Sequence, residues 1–311
     1  MDIENYIRSF GIKTFVTKAV RHVLLKNDST IAWKINNYNE KNIENYLEKT
    51  INKSYGKIEN YNIKKINQNV VKEPIWVMWY QGIENAPDIV RCCVNSIKVN
   101  SNGHDVIILS KDNLSEYIQL PNFITEKFEK GYISPTHLSD MIRLNLLYLY
   151  GGAWLDATLF VTHPIPEAYF NKPIFSINFG KNTKDPSHGR WTTFCLFSNK
   201  ENMLIEKTLR CHYCYWLEND YAVDYIMFDY FINYLIKHNS KFMLDIYNIP
   251  ITNQKVFELI NVMNEGYEKN KILLVKDNQY FYKLSWKKTY IEQVNSYDTI
   301  FKYIKRQYMF I

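Results

Sequence analysis

Several features are scarce or absent in this 311-residue sequence, and each absence excludes a class of protein. No apolar run reaches the roughly 18 residues that a membrane-spanning helix needs, and the first residues lack the pattern of a signal peptide. With 10 glycines and 9 prolines, the composition is not that of a disordered or collagen-like chain. The 5 cysteines, an odd number without a secretion signal, argue against a disulfide framework and predict a cytoplasmic location.

Positive charge is in modest excess. The formal net charge is +6, and no basic run of the kind that binds nucleic acid is present, so we expect no nucleic-acid partner. The excess suits a phosphate-bearing partner such as a nucleotide, a lipid diphosphate or an anionic membrane surface. Hydrophobic residues make up 46% and aromatic residues 16% of the chain, which is enough for a substantial core.

Residues 1–70 are predicted to be helical, and the segment GIKTFVTKAVRHVLLK (residues 11–26) is amphipathic. Apolar residues share one side of it: Phe15, Val16, Val20, Val23, Leu24 and Leu25. Basic residues occupy the rest: Lys13, Lys18, Arg21 and Lys26. A basic amphipathic helix can lie on an anionic membrane. Amphipathicity is equally typical of a helix docked on its own domain, so both interpretations stay open.

A strand-helix-strand pattern follows. The run EPIWVMWYQG (residues 73–82) predicts a buried strand, residues 87–101 predict a helix, and HDVIILS (residues 104–110) predicts a second buried strand. This order makes a right-handed unit with parallel strands. Ligands bind beyond the carboxyl ends of such strands, so the loop from Trp79 to Gly82 is a candidate site.

The next segment combines a buried helix with a strand that carries a carboxylate. Residues 136–150 are helical and apolar on most sides, and Gly151-Gly152 ends the helix. Residues 153–161 are expected to form one continuous strand. Its two faces alternate, so Trp154, Asp156 and Thr158 lie on one side of it.

Three charged side chains are predicted to meet at this point. Asp140 and Arg143 are three residues apart and share a helix face, and Asp156 follows on the next strand. A buried carboxylate and guanidinium can orient a polyhydroxylated ligand, and Asp156 with Thr158 supplies hard oxygen ligands for Mg²⁺ or Mn²⁺. Each piece also has a plain structural interpretation: an intrahelical ion pair, a strand-end aspartate, and a core tryptophan at Trp79.

The motifs WVMWYQG and SPTHLSDMIRLNLLYLYGGAWLDATLFVT resemble the bacterial capsular polysaccharide synthesis glycosyltransferases. These are similar to the glucosyltransferase domain of the large clostridial toxins and to fungal outer-chain mannosyltransferases. The resemblance covers about residues 74 to 165. It implies an α/β fold of the GT-A type, with a Rossmann-like central sheet flanked by helices and an added helical N-terminal region. It also implies a nucleotide-sugar donor, a divalent metal (Mn²⁺ or Mg²⁺) and retention of the anomeric configuration.

The resemblance assigns roles to residues of this sequence. The catalytic set is Asp140, Arg143 and Asp156, and Asp156 and Thr158 would meet the metal. The donor-binding set comprises Trp79, Tyr80, Gln81, Gly82, Asp140, Arg143, Gly151, Gly152, Lys283, Ser285, Trp286 and Lys287. Trp79 would stack on the uracil, and the segment KLSWKK would close over the diphosphate. Thr158 stands where the toxins and the fungal enzymes have a second aspartate.

Weaker candidates lie downstream. The residues considered for an acceptor groove are His188, Arg190, Trp191, Asp224 and Asp229, with a surface loop and solvent-facing helix positions as the alternatives. Cys211 and Cys214 have CxxC spacing, but no second pair completes a zinc site, so they are expected in the core.

These features predict a hexosyltransferase. It would move galactose or glucose from a UDP-sugar to an undecaprenyl-diphosphate-linked saccharide during assembly of the capsule repeat unit, in the cytoplasm or on the inner face of the plasma membrane. The alternatives are a catalytically impaired nucleotide-sugar-binding protein and a toxin-like transferase that acts on a protein. The expected division is a helical region (residues 1–70), a catalytic domain (residues 71–290) and a helical tail (residues 291–311).

Overall fold

A computed structural model describes residues 3–24 and 28–311 of the chain. Leu25 and Lys26 of the predicted amphipathic helix lie outside the described residues. The strands, in chain order, are β1 (Ile75–Met78), β2 (Val106–Leu109), β3 (Gly152–Leu155), β4 (Leu159–Val161), β5 (Ile174–Ser176), β6 (Cys195–Ser198), β7 (Phe281–Lys283), β8 (Gln293–Val294) and β9 (Tyr297–Asp298). The α-helices are α1 (Ile3–Leu24), α2 (Thr30–Ile58), α3 (Asp88–Val99), α4 (Asn122–Glu129), α5 (Pro135–Tyr150), α6 (Glu167–Phe170), α7 (Met203–Glu218), α8 (Met227–His238), α9 (Ser240–Tyr247), α10 (Leu259–Val262), α11 (Tyr267–Asn270) and α12 (Ile300–Tyr308).

In the part of the chain that the structure describes, the central sheet has five strands in the order β2-β1-β3-β6-β5. β1 runs parallel to β2 and to β3, with Ile75 opposite Val106 on one side and Ala153 on the other. β6 runs antiparallel to β3, and β5 runs antiparallel to β6. The predicted β1-α3-β2 unit and the mixed α/β class are therefore confirmed, whereas the GT-A type stays a prediction. The prediction that the second strand is buried was wrong. β2 is an edge strand and is largely half-buried, because a neighbouring strand covers it on one side only.

Helix α5 forms where the sequence predicts it. The Ser134 hydroxyl accepts a hydrogen bond from His137 N, which satisfies one of the free amides of the first turn, and Pro135 takes the first helical position. The helix ends at Gly151, whose φ of 72° lies in the left-handed region that favours glycine. Apolar side chains cover most of the helix surface, so α5 packs inside the molecule. The helical turn that contains Asp140 and Arg143 faces the carboxyl end of β3.

The continuous strand expected over residues 153–161 is not formed. β3 ends at Leu155, and the next three residues make a turn in which Leu159 N donates to Asp156 O at 2.8 Å. Asp156 N donates to Phe194 O at 2.9 Å, which continues the register of the β3-β6 ladder, so the chain leaves the central sheet directly after this residue. β4 then pairs with β7 in a second sheet. Asp156 consequently lies at the carboxyl end of β3, the position at which ligands bind in sheets with parallel strands.

The N-terminal helices cover one side of the core. Helix α2 buries Ile43, Leu47 and Ile51 against it, and the Tyr6 hydroxyl of α1 donates to Val223 O at 2.7 Å. The docked-helix interpretation is therefore confirmed for α1. The other side of α1 is exposed, with a stripe of apolar side chains at helical spacing: Ile12, Val16, Val20 and Val23. Among the described residues, no helix is long and apolar enough to cross a membrane.

The C-terminal part differs from the expected helical tail. Residues 293–298 form the β8-β9 hairpin, and only α12 after it is helical. The expected core position of Cys211 and Cys214 is confirmed. All five cysteines lie in described segments, and each is buried with a free thiol.

Candidate functional site

Three predicted residues meet at the carboxyl end of β3. Arg143 lies between two carboxylates: its Nη1 is 3.1 Å from Asp140 Oδ1, and its Nη2 is 3.2 Å from Asp156 Oδ1. Trp154 Nε1 donates to the same Asp156 oxygen at 2.9 Å. The Arg143 side chain is only 5% exposed. The predicted grouping of a helix pair with the residue after the glycine turn is thus present in the structure.

Aromatic rings fix the guanidinium of Arg143. Its Cζ lies 5.0 Å from the centre of the Trp154 ring and 5.5 Å from that of Phe228. Sequence reasoning gave neither ring a role. The alternation of Trp154 with Asp156 on one strand face was the available signal for the first, whereas Phe228 comes from a distant helix and gave none.

The two carboxyl groups have opposite pKa shifts. Burial raises the pKa of Asp140 to about 7; the Arg143 charge opposes this effect, and the Asp156 charge adds to it. Burial also acts on Asp156, but the charges of Lys283 and Arg143 together hold its pKa well below the ordinary value. At neutral pH Asp156 is therefore ionised, and Asp140 is close to its titration midpoint.

Lys283 completes the group from the second sheet. Its Nζ donates to Asp156 Oδ2 at 2.7 Å and to Thr158 Oγ1 at 2.7 Å. The resemblance predicts a divalent metal at these two residues. Asp156 and Thr158 do not fit a resident Mg²⁺ or Mn²⁺, because both Asp156 oxygens and the Thr158 hydroxyl already accept hydrogen bonds from Arg143, Trp154 or Lys283. Such an ion needs a free carboxylate oxygen besides the waters and phosphates that complete its ligand shell. Within residues 3–24 and 28–311, no group of three or more His, Cys, Asp or Glu side chains could hold a metal ion.

The predicted aromatic loop lies beside the C-terminal element. The rings of Trp79 and Trp286 are 6.0 Å apart and nearly perpendicular at 87°, and Trp286 is 49% exposed. Tyr80 packs edge-on against Phe128, and its carbonyl accepts from Lys111 N at 3.0 Å. Two segments that are some 200 residues apart in the sequence thus form one aromatic wall.

The remaining residues of these two segments occupy different environments. Gln81 is exposed, whereas Gly82 is buried with a φ of 89°. Ser285 Oγ accepts from Lys287 N at 3.2 Å, and the Lys287 ammonium lies 5.7 Å from the centre of the Trp286 ring. The exposed side chains of this segment therefore point away from the core and are accessible to a ligand.

Gly151 and Gly152 are separated from this group. They lie at the amino end of β3, about 13 Å from Asp156 for a strand of this length. A Cβ on Gly152 would lie 2.0 Å from Pro74 O, and one on Gly151 would lie 2.7 Å from Lys200 N. The structure places both glycines in close backbone packing, not in the predicted donor-binding set.

The acceptor candidates do not form one cluster. Trp191 is buried, and its Nε1 donates to Asp229 Oδ1 at 2.7 Å. Burial raises the pKa of Asp229 to about 8, with the Asp185 charge adding to the shift. Asp224 is also buried and lies 3.5 Å from Lys18 Nζ. The alternative in which the two aspartates are solvent-facing helix positions is therefore wrong, and their contact with acceptor hydroxyls stays a prediction.

His188 and Arg190 lie on the loop that leads into Trp191, and the Arg190 Cζ is 5.6 Å from the centre of the Trp191 ring. His188 has a φ of 49°, and its Nε2 is 3.9 Å from Glu40 Oε1. Arg190 Nη1 donates to the Tyr247 hydroxyl at 2.7 Å. These contacts tie the loop to α2 and α9.

A large cavity lies under α1, and sequence reasoning gave no indication of it. Its volume is about 990 Å³. The lining residues are Ile3, Tyr6, Phe15, Lys18, Ala19, Arg21, His22, Asp28, Trp33, Asn182, Thr183, Lys184, Asp185, Asp224, Tyr225 and Ile226. Tyr225 O on its wall is 3.3 Å from His137 Nε2, one turn before Asp140 on α5. The cavity therefore borders the helix that carries the charged cluster.

Comparisons with known proteins show what the chain is similar to. A family model described as "Capsular polysaccharide synthesis protein" matches residues 25–304. The O-glycosyltransferase braB of Annulohypoxylon truncatum is 32% identical over 108 residues, which is 32% of this chain and 25% of that protein. The O-glycosyltransferase PaGT of Phomopsis amygdali is 29% identical over 104 residues, which is 30% of this chain and 26% of that protein.

Other matches are more distant. The glycosyltransferase afumC of Aspergillus fumigatus is 27% identical over 125 residues, which is 34% of this chain and 32% of that protein. The chain thus spans a quarter to a third of the length of these fungal relatives. A solved structure described as "PaToxG Glycosyltransferase" has 13% identity and a TM-score of 0.35, covering 68% of this chain and 89% of that one.

Proposed function

This chain belongs to the capsular polysaccharide synthesis protein family, and from that membership we propose that it is a glycosyltransferase. The donor is a UDP-hexose, with galactose or glucose as the sugar, and the product keeps the α configuration. The acceptor is a saccharide linked to undecaprenyl diphosphate, and the product is part of a capsule repeat unit. The reaction takes place at the inner face of the plasma membrane.

The observation that carries the proposal is the Asp140-Arg143-Asp156 cluster. It combines a guanidinium fork with two carboxylates, each within 3.2 Å of the guanidinium, at the carboxyl end of a strand. Such groups bind the hydroxyls of a sugar in fixed directions. The Trp79-Trp286 wall beside the cluster offers an aromatic face for stacking on the uracil ring.

The chemistry needs charge stabilisation more than a strong nucleophile. In transfer, the bond between C1 of the sugar and the phosphate oxygen breaks, and its electron pair stays on the phosphate. The acceptor hydroxyl oxygen bonds to C1 on the same face, and its proton passes to the departing phosphate oxygen. Fixed cations close to that oxygen lower the barrier because they interact most strongly as its charge develops. Lys283 is such a cation, held beside Asp156.

Two features support a lipid-linked acceptor at a membrane surface. The cavity of about 990 Å³ under α1 has an apolar part that suits a lipid chain. Charged side chains of both signs also line it, with Lys18, Arg21 and Lys184 against Asp28, Asp185 and Asp224. The exposed apolar stripe of α1 lies on the outside of the same helix. An amphipathic helix that keeps apolar residues in water gains free energy when they enter the headgroup region.

Incubation with UDP-galactose and UDP-glucose tests the proposal, with UDP release and the anomer of the freed or transferred sugar followed by NMR. We expect UDP release by the wild type and a loss of at least about 100-fold in Arg143→Lys, which keeps the charge but loses the fork. Arg91→Lys is the matched control, since Arg91 also pairs with an aspartate three residues away but on the surface. The proposal fails if neither donor is bound or cleaved, or if both variants behave alike.

A further inference from the structure

The side chain of Lys283 occupies the position that the sequence resemblance gives to a divalent metal. Its Nζ bridges Asp156 Oδ2 and Thr158 Oγ1, at 2.7 Å from each. The backbone holds the lysine in this place. Lys283 lies opposite Leu159 in the β4-β7 ladder, and Leu284 N donates to Thr158 O at 2.9 Å.

Two cations already flank Asp156. Arg143 Nη2 lies 3.2 Å from its Oδ1 and Lys283 Nζ lies 2.7 Å from its Oδ2, and Arg143 Nη1 also lies 3.1 Å from Asp140 Oδ1. A divalent ion on Asp156 would lie next to an ammonium and close to a guanidinium, in a partly buried site where like charges repel strongly. The lysine and a metal are therefore alternatives at this point.

We propose, on the premise of the proposed function, that the Lys283 ammonium replaces the divalent metal and binds the diphosphate of the donor. An ammonium has three N–H donors. Asp156 and Thr158 take two of them, and the side chain is 22% exposed, so the third is available to a phosphate oxygen. When the bond from C1 to the phosphate oxygen breaks, the ammonium stabilises the electron pair left on the phosphate and keeps its own proton. The acceptor hydroxyl supplies the proton that the phosphate takes up.

The position of Lys283 in its segment supports this role. Trp286 follows three residues later and contacts Trp79, so one short segment carries both a cation and an aromatic face. A nucleoside diphosphate likewise carries an aromatic ring and a charged group. The same segment can therefore bind both parts of the donor without an added ion.

Calorimetric titration of the full chain with UDP tests the proposal. The protein is first treated with EDTA and dialysed, then titrated without metal and again with Mn²⁺ or Mg²⁺. We expect binding without metal, with a dissociation constant that changes less than twofold when metal is added. Lys283→Met should weaken binding about 10-fold or more, since it removes a charge-assisted hydrogen bond. Lys302→Met is the control: it removes one positive charge outside the KLSWKK segment, from a side chain that is 25% exposed and whose Nζ lies 2.7 Å from Asp298 Oδ1.

The possible outcomes separate the two proposals. Wild-type protein that binds UDP only after metal is added overturns the role of Lys283 and leaves the proposed function standing. Wild-type protein that binds UDP under neither condition overturns both. Equal affinities of Lys283→Met and Lys302→Met, in variants whose circular dichroism matches the wild type, also overturn the role of Lys283. The metal titration of the wild type decides the question even if the methionine variant does not fold.

Discussion

Replacing Gly152 by alanine should destabilise the protein more than any ordinary glycine substitution. The φ of Gly152 is 86°, and an added Cβ would lie 2.0 Å from Pro74 O and 2.9 Å from Glu73 C. The backbone strain alone costs about 1–2 kcal/mol. To relieve the clash, β3 must move away from the residues before β1, which breaks the bond from Ala153 N to Pro74 O and disturbs the core. Adding about 1 kcal/mol for the bond and 1–3 kcal/mol for the packing gives about 4 kcal/mol in total.

Gly103 provides a matched control. Its φ is also 86°, but nothing lies within 4 Å of the position that a Cβ would take. Gly103→Ala should therefore lose only the stability that the backbone strain costs, about 1–2 kcal/mol. Urea denaturation followed by tryptophan fluorescence measures both variants against the wild type. Equal midpoints for the two variants would refute the argument, since they would show that close packing of β3 on Pro74 adds nothing to the strain.

Three further predictions concern the site and its surroundings. The folded-state pKa of Asp229, about 8, lies above the ordinary pKa of an aspartate. The contribution of this carboxyl group to stability is therefore lost as pH rises from about 4 to 8, so the Tm of Asp229→Asn should fall less between pH 5 and pH 9 than the Tm of the wild type. A Tm that falls as steeply in the variant as in the wild type would contradict this. Trp79→Ala should weaken UDP binding about 10-fold in calorimetry, because base stacking contributes about 1–3 kcal/mol; unchanged affinity removes Trp79 from the donor site. Val20→Asp, on the exposed stripe of α1, should reduce co-sedimentation of the protein with anionic vesicles several-fold. Ile31→Asp, at an exposed position of α2, is the control and should not reduce it. Equal effects of the two substitutions would exclude a specific contribution of α1.

Local sequence signals predicted the helix and the charged cluster well. Asp140 and Arg143 are one turn apart on α5, and the glycine pair ends the helix, so their meeting with Asp156 follows from short-range geometry. The break at Asp156 could not be predicted in this way. An alternating apolar pattern is the same for one long strand and for two short strands joined by a turn, and the choice depends on Phe194 and on β7.

The bond between Lys283 and Asp156 was equally beyond local reasoning. The two residues are 127 positions apart, and nothing around either of them specifies the other. The cavity under α1 could not be predicted from local sequence either, since its walls come from α1, from residues 182–185 and from residues 224–226. Contacts of this range are decided by the packing of the whole chain.

The pairing of β4 with β7 has a consequence for synthesis on the ribosome. β4 emerges long before its partner, because 127 residues separate Asp156 from Lys283. At about 5–20 residues per second, the wait lasts roughly 6–25 s. During that time β4 has an open edge, and Asp156 lacks its ammonium partner. The nascent chain therefore carries the helix and the carboxylates without a finished charged cluster until β7 has been made.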